Sequence, residues 1–192
     1  MDKILVGIDE AGMGTLAGPM TASVIVIRES QVPTGVRDSK KLSEERREEL
    51  AALIMDAAEY YKTAVMDPRR IDEDGLSICW WEATRALAKT AYHEYVGEID
   101  DFEIIIDGNR LIGLTYVRPV VKADVTHPAV AAASILAKYT QCCYMDDYHL
   151  EYPKYGFDHH RGYPTVTHKQ ALKELGPCPI HRKSFKPIKR LL

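Results

Sequence analysis

The sequence has no CxxC pair, no nucleotide-binding glycine loop, no internal repeat and no apolar run of membrane-spanning length. Each absence removes a class of function. The cysteines are Cys79, Cys142, Cys143 and Cys178, and the two neighbours among them do not normally bond to each other. A disulfide framework is therefore not expected, and a reduced, cytoplasmic setting is the simplest reading. Cys178-Pro179-Ile180-His181 and the His159-His160 pair match no common zinc spacing and read as structural. Neither GxxxxGK[ST] nor a helix-opening GxGxxG is found, which disfavours a nucleotide-binding fold. Met1-Asp2-Lys3 passes directly into an apolar strand, which predicts no secretory leader. An excess of one charge is missing too, since 25 Lys and Arg against 28 Asp and Glu leave −3. A polyanionic partner would have to be met by local basic clusters, not by the overall field.

What is present suits one domain with a real core: 192 residues, 46% of them hydrophobic. Leu5-Val6-Gly7-Ile8 reads as a buried strand that ends in Asp9-Glu10 and then enters the soft turn Gly12-Met13-Gly14. Residues 20–27 predict a second strand, antiparallel to the first. Ser43 caps a predicted helix with a stripe of Leu50, Ile54, Ala58 and Tyr61. A strand over 62–66 and a long helix over 76–95 follow, the helix carrying Trp80, Ala83, Leu87 and Ala91 on one face. Phe102 to Asp107 repeats the opening design, an apolar strand ending in a carboxylate, and so does Tyr116 to Asp124. Pro128 then opens an alanine-rich helix running to about His149. These elements predict an α/β catalytic core over 1–150, with an extension over 151–192 that packs on it, contains a short helix near 168–175 and contacts substrate.

Asp9, Glu10, Asp107 and Asp124 thus stand at strand ends that one sheet would bring together. Crowded carboxylates need protons or cations among them, and an oxygen-only ligand set favours Mg²⁺ or Mn²⁺ over zinc. Two such ions suit attack on a phosphodiester. Lys40, Lys122, Lys138, Arg161 and the tail from His181 supply basic groups for a nucleic-acid backbone, Ser39 adds a hydroxyl beside Lys40, and Tyr163 offers a ring for stacking.

With these motifs the chain resembles ribonuclease HII, the type 2 ribonucleases H. The resemblance rests on Asp9-Glu10-Ala11-Gly12, Leu16-Ala17-Gly18-Pro19, the Asp38-to-Ser43 loop, Asp107-Gly108-Asn109, Lys122-Ala123-Asp124, residues 132–138, Gly162-Tyr163-Pro164 and residues 179–185, in the family's order. It implies an RNase H-like fold, a mixed five-stranded sheet flanked by helices, with a helical C-terminal extension. It also implies a monomeric endoribonuclease, away from membranes, whose partners are RNA/DNA hybrids and duplex DNA containing single ribonucleotides, cut to 3′-hydroxyl and 5′-phosphate ends. By position, Asp9, Glu10, Asp107 and Asp124 would hold two Mg²⁺ or Mn²⁺ ions. Gly12, Met13 and Gly14 would read the 2′-hydroxyl through the main chain, Tyr163 would stack on the adjoining deoxyribose, and Ser39 and Lys40 would take phosphates. Two departures stand out. The family usually has arginine where this chain has Met13, and Arg-Asp where it has Gln141-Cys142. The rival readings are another RNase H-like nuclease or resolvase, and a hybrid-binding protein with impaired catalysis.

Overall fold

Alternation along the first strand decides what lies on each face of the sheet. In the computed structural model, which describes residues 2–36, 42–96 and 102–192, β1 spans Ile4–Ala11 and β2 spans Met20–Arg28. Val6 and Ile8 point into one hydrophobic layer, with Met20, Ala22, Val24 and Val26 of β2. Leu5, Ile25 and Ile27 point into the other. β2 is buried along nearly its whole length because both faces are covered.

The remaining strands are β3 (Tyr60–Met66), β4 (Ile104–Asp107) and β5 (Val117–Val120), and the sheet order is β3-β2-β1-β4-β5. β1, β2 and β3 pair antiparallel, whereas β4 is parallel to β1 and β5 to β4. This is the mixed five-stranded sheet expected. Parallel pairing matters for the site, because it brings the C-terminal ends of β1 and β4, and with them Glu10 and Asp107, to the same edge of the sheet.

Helices close both faces. α1 (Glu44–Ala57) starts where the Ser43 hydroxyl accepts the Arg46 N–H, and it buries Leu50, Ala51 and Ile54. It stops at Ala57, so Ala58 and Tyr61 lie beyond it, Tyr61 in β3; the 3.6-residue pattern ran by chance into a strand. α2 (Pro68–Asp74) is capped by the Asp67 side chain, and α3 (Leu76–Ala91) buries Trp80, Ala83, Leu87 and Ala91 as expected. The chain continues as a wider π-type turn over Tyr92–Val96 instead of as α-helix.

α4 (Ala123–Thr126) and α5 (Pro128–Glu151) follow β5. The alanines of α5 let it sit very close to β1. A Cβ on Gly7 would lie 2.3 Å from the backbone of Ala129 and Val130. Only glycine permits that approach. Among the described residues no helix is long and apolar enough to cross a membrane.

Residues beyond 151 form α6 (Phe157–His160), α7 (Val166–Leu175) and α8 (Lys186–Lys189). This segment wraps back onto the turn after β1: Leu16 N–H donates to Gly162 O, Gly18 N–H to Ile180 O, and Arg182 N–H to Leu16 O. Tyr155, Phe157, Cys178 and Ile180 share a core with Ala17 and Met145.

Candidate active site

Asp9 and Glu10 leave opposite faces of β1, as neighbours on a strand must. Asp9 is 5% exposed and lies on the α5 side, with Ser134 as a hydrogen-bond partner. Glu10 lies on the α3 side, where Trp80 Nε1–H donates to its Oε2 at 2.9 Å. The two acids diverge, yet they remain electrically coupled. Burial first, and then the Glu10 charge, push the Asp9 carboxyl up to about 8, with Asp107 adding to the rise. Glu10 is also raised, by burial and then by Asp107, while the Trp80 hydrogen bond and the Arg110 charge pull it down.

Asp107 ends β4, and its Oδ1 accepts the Ala123 N–H at 2.7 Å. Asp124, the next residue, is buried. Asp124 does not end a strand. β5 stops at Val120, Lys122 turns the chain through a left-handed φ of 58°, and Asp124 sits in the first turn of α4. The conformational turn defeats the strand reading, but the hydrogen bond to Asp107 returns the segment to the same edge. Lys122 itself is exposed there, at the N-cap of α4.

The donor set is oxygen only, partly buried and mutually repelling, which fits a hard divalent cation. Among the described residues, no three His, Cys, Asp or Glu groups already form a cage for one.

The turn after β1 is braced from below. Gly12 has φ 81°, and a Cβ there would meet Pro19 O at 2.6 Å; Gly14 has open space around its Cα. Arg182 is wholly buried beneath this turn, donating from Nε to Gly18 O and from Nη1 to Met13 O at 3.0 and 3.4 Å. Burial lowers its pKa to about 10, so it stays charged at neutral pH. Met13 packs its side chain against the α3 layer.

Tyr163 is 37% exposed, with Lys138 Nζ 4.9 Å from its ring centroid. Lys138 donates to Gln141 Oε1 at 2.7 Å, and Gln141 Nε2 donates to Arg161 O at 3.0 Å. Gln141 is wholly buried and both ends of its amide are used. Gln141 thus makes a neutral bridge between α5 and the loop carrying Tyr163. Arg161 reaches the same region from the loop, pairing with Asp146 and Glu44.

A chain of neutral histidines fixes the other side of that loop. Cys178 N–H donates to His181 Nδ1 at 2.9 Å, which places the His181 proton on Nε2. That nitrogen is 3.0 Å from His168 Nε2, and His168 Nδ1 is 2.9 Å from Tyr163 O, a pure acceptor. Both ends therefore demand the same tautomers: His181 donates to His168, and His168 donates to Tyr163. His160, stacked on His168 at 4.2 Å, accepts the Gly162 N–H and donates to Tyr155 O. These rings hold one another and the loop backbone by hydrogen bonds, and His159 takes no part in the chain.

Ser39 and Lys40 lie outside the described residues. Trp80, Ser134, Arg110, Gln141 and Arg182 contact the candidate acids, the cavity beside them or the loops around them, which periodicity did not reveal. Trp80 read as plain core on a helix face, and nothing local in sequence points its indole N–H at Glu10.

The ribonuclease HII family model matches residues 6–188. The ribonuclease HII of Hyphomonas neptunium is 39% identical over 199 residues, covering 98% of this chain and 96% of its own. That of Halorhodospira halophila is 41% identical, covering 98% and 94%. A solved RNase HII from Archaeoglobus fulgidus, in complex with PCNA, has a TM-score of 0.81 at 25% identity, covering 96% of each chain. The chain belongs to the ribonuclease HII family, whose members are metal-dependent endoribonucleases acting on RNA/DNA hybrids.

Proposed function

We propose that this enzyme also cuts on the 5′ side of single ribonucleotides embedded in duplex DNA, and that Asp9, Glu10, Asp107 and Asp124 hold two Mg²⁺ or Mn²⁺ ions for that hydrolysis. The observation that carries the reading is the meeting of β1 and β4 at one sheet edge, where Asp9, Glu10 and Asp107 feel one another's charge and Asp124 follows the amide held by Asp107. Bound there, the ions supply Lewis acidity that generates a nucleophile from water and offsets charge on the leaving oxygen. No protein nucleophile is required, and the products carry 3′-hydroxyl and 5′-phosphate ends.

The chain's own groups orient the substrate. Arg182 fixes the carbonyls of Met13 and Gly18, so the Gly12-Met13-Gly14 main chain stands ready for a 2′-hydroxyl, the group that separates RNA from DNA. Tyr163, held by Lys138 on its face and by His168 at its carbonyl, offers a ring to the sugar next to the ribonucleotide. Lys122, Ser39 and Lys40 take backbone phosphates, and residues 151–192 act as the part of the domain that presents Tyr163.

A DNA duplex carrying one ribonucleotide tests the reading. Wild type cuts at that nucleotide with Mg²⁺ or Mn²⁺, Asp107→Asn does not, and Tyr163→Ala loses more rate on this substrate than on a continuous hybrid. Equal cleavage by Asp107→Asn, or equal losses on both substrates for Tyr163→Ala, overturns the corresponding assignment.

A further inference from the structure

The acids repel the very phosphates that they are to cleave, so the site needs a cation at its rim. Arg110 lines the cavity at that place. A cavity of about 220 Å³ opens beside the acids, lined by Glu10, Met13, Trp80, Asp107 and Arg110 among others. Gly108, with φ 96°, turns the chain just after Asp107 and brings Arg110 back over the same sheet edge. The guanidinium carbon lies 5.2 Å from the centre of the Trp80 ring. The same indole donates its N–H to Glu10, so one aromatic side chain seats a carboxylate by its edge and a cation by its face.

Arg110 is close enough to Glu10 for its charge to favour the ionised carboxylate. Among the described residues it nevertheless makes no direct ion pair, unlike Arg70, Arg118 and Arg161, which are tied to acids. A guanidinium held over an aromatic ring still has N–H donors for a partner, and their fork matches two oxygens of a phosphate.

We propose that Arg110, seated on Trp80, binds a non-bridging phosphate oxygen of the RNA strand at the mouth of the acid site. This rests on the reading of the acids as the hydrolytic centre. It also gives the cavity beside Met13, whose side chain is apolar, a positive group supplied from the β4 side instead of from the turn after β1.

The test is equilibrium binding of a fluorescein-labelled RNA/DNA hybrid in Ca²⁺ across a KCl series, for wild type, Arg110→Ala and Arg110→Lys. Each phosphate contact contributes about 0.9 to the slope of log K against log salt. Arg110→Ala is expected to lose about one unit of slope and roughly tenfold in affinity at low salt. Arg110→Lys keeps the slope, because it keeps the charge, while losing part of the affinity. Arg110 is exposed, so the alanine variant should unfold at the wild-type temperature. An unchanged slope in Arg110→Ala overturns the proposal, as does a lysine variant that loses as much slope as alanine. Asp107→Asn, assayed for cleavage in parallel, separates the two levels. If it cuts like wild type, the hydrolytic reading itself falls; if it is inactive and the slopes agree, only the role of Arg110 falls.

Discussion

Lowering the pH from 7 to 5 should weaken the fold through His168 and His181. Both rings are wholly buried, and burial lowers each pKa from 6.5 to about 4. Because the folded value is the lower one, the unfolded chain binds more protons between those limits. Stability is full above pH 6.5 and is lost as the pH falls toward 4. At pH 5 an unfolded histidine is almost fully protonated while a folded one is almost fully neutral, a difference of about 2 kcal/mol for each ring. A proton added to His168 puts two N–H groups face to face across the shared hydrogen bond, and one added to His181 does the same against the Cys178 N–H. The pair is coupled in this way, so the expected loss is about 2–4 kcal/mol, a large share of a typical domain's stability. His160, lowered by burial too, acts in the same direction.

Asp9 and Glu10 act oppositely. Their raised carboxyls favour the folded state as protons are added, so the measurement belongs in an Asp9→Asn/Glu10→Gln background. Urea unfolding at pH 7 and pH 5 gives the stability difference. Nitrogen-15 NMR of the imidazoles gives the protonation states in the folded protein without further mutation. Ring nitrogens of His168 or His181 that titrate near 6.5 in the folded protein would refute the reasoning, whatever the urea curves show.

Two further perturbations bear on the scaffold. Gly7→Ala places a methyl group 2.3 Å from the Ala129 and Val130 backbone, so α5 must move; a loss of about 3 kcal/mol is expected by urea unfolding, and a neutral result would mean that α5 yields freely. Gln141→Leu removes the amide that links the half-buried Lys138 ammonium to the Arg161 carbonyl, with an expected cost of about 1–3 kcal/mol and weaker discrimination for the embedded ribonucleotide. Unfolding within about 0.5 kcal/mol of wild type would show that water replaces the bridge.

Much of the frame was legible in the sequence because it is written in local periodicity. The apolar run over Leu5–Ile8 marked β1, Ser43 marked the start of α1, and the apolar run before Asp107 marked β4, whereas α2 after Asp67 was not expected. Asp124 was legible as a candidate acid but not as a helical residue, since the left-handed turn at Lys122 is carried by a residue whose identity does not advertise it. What only the tertiary structure decided are the contacts between residues far apart in the chain. Trp80 holding Glu10, Arg182 bracing Met13 and Gly18, Gln141 bridging to Arg161, and His181 donating through His168 to Tyr163 all depend on where separate elements come to rest. The sequence by itself determined which donor groups the chain offers, because carboxylates that follow apolar runs need no distant partner to be recognised. The fold decided how that chemistry is aimed, because aim is a property of packing between elements and leaves no local pattern behind.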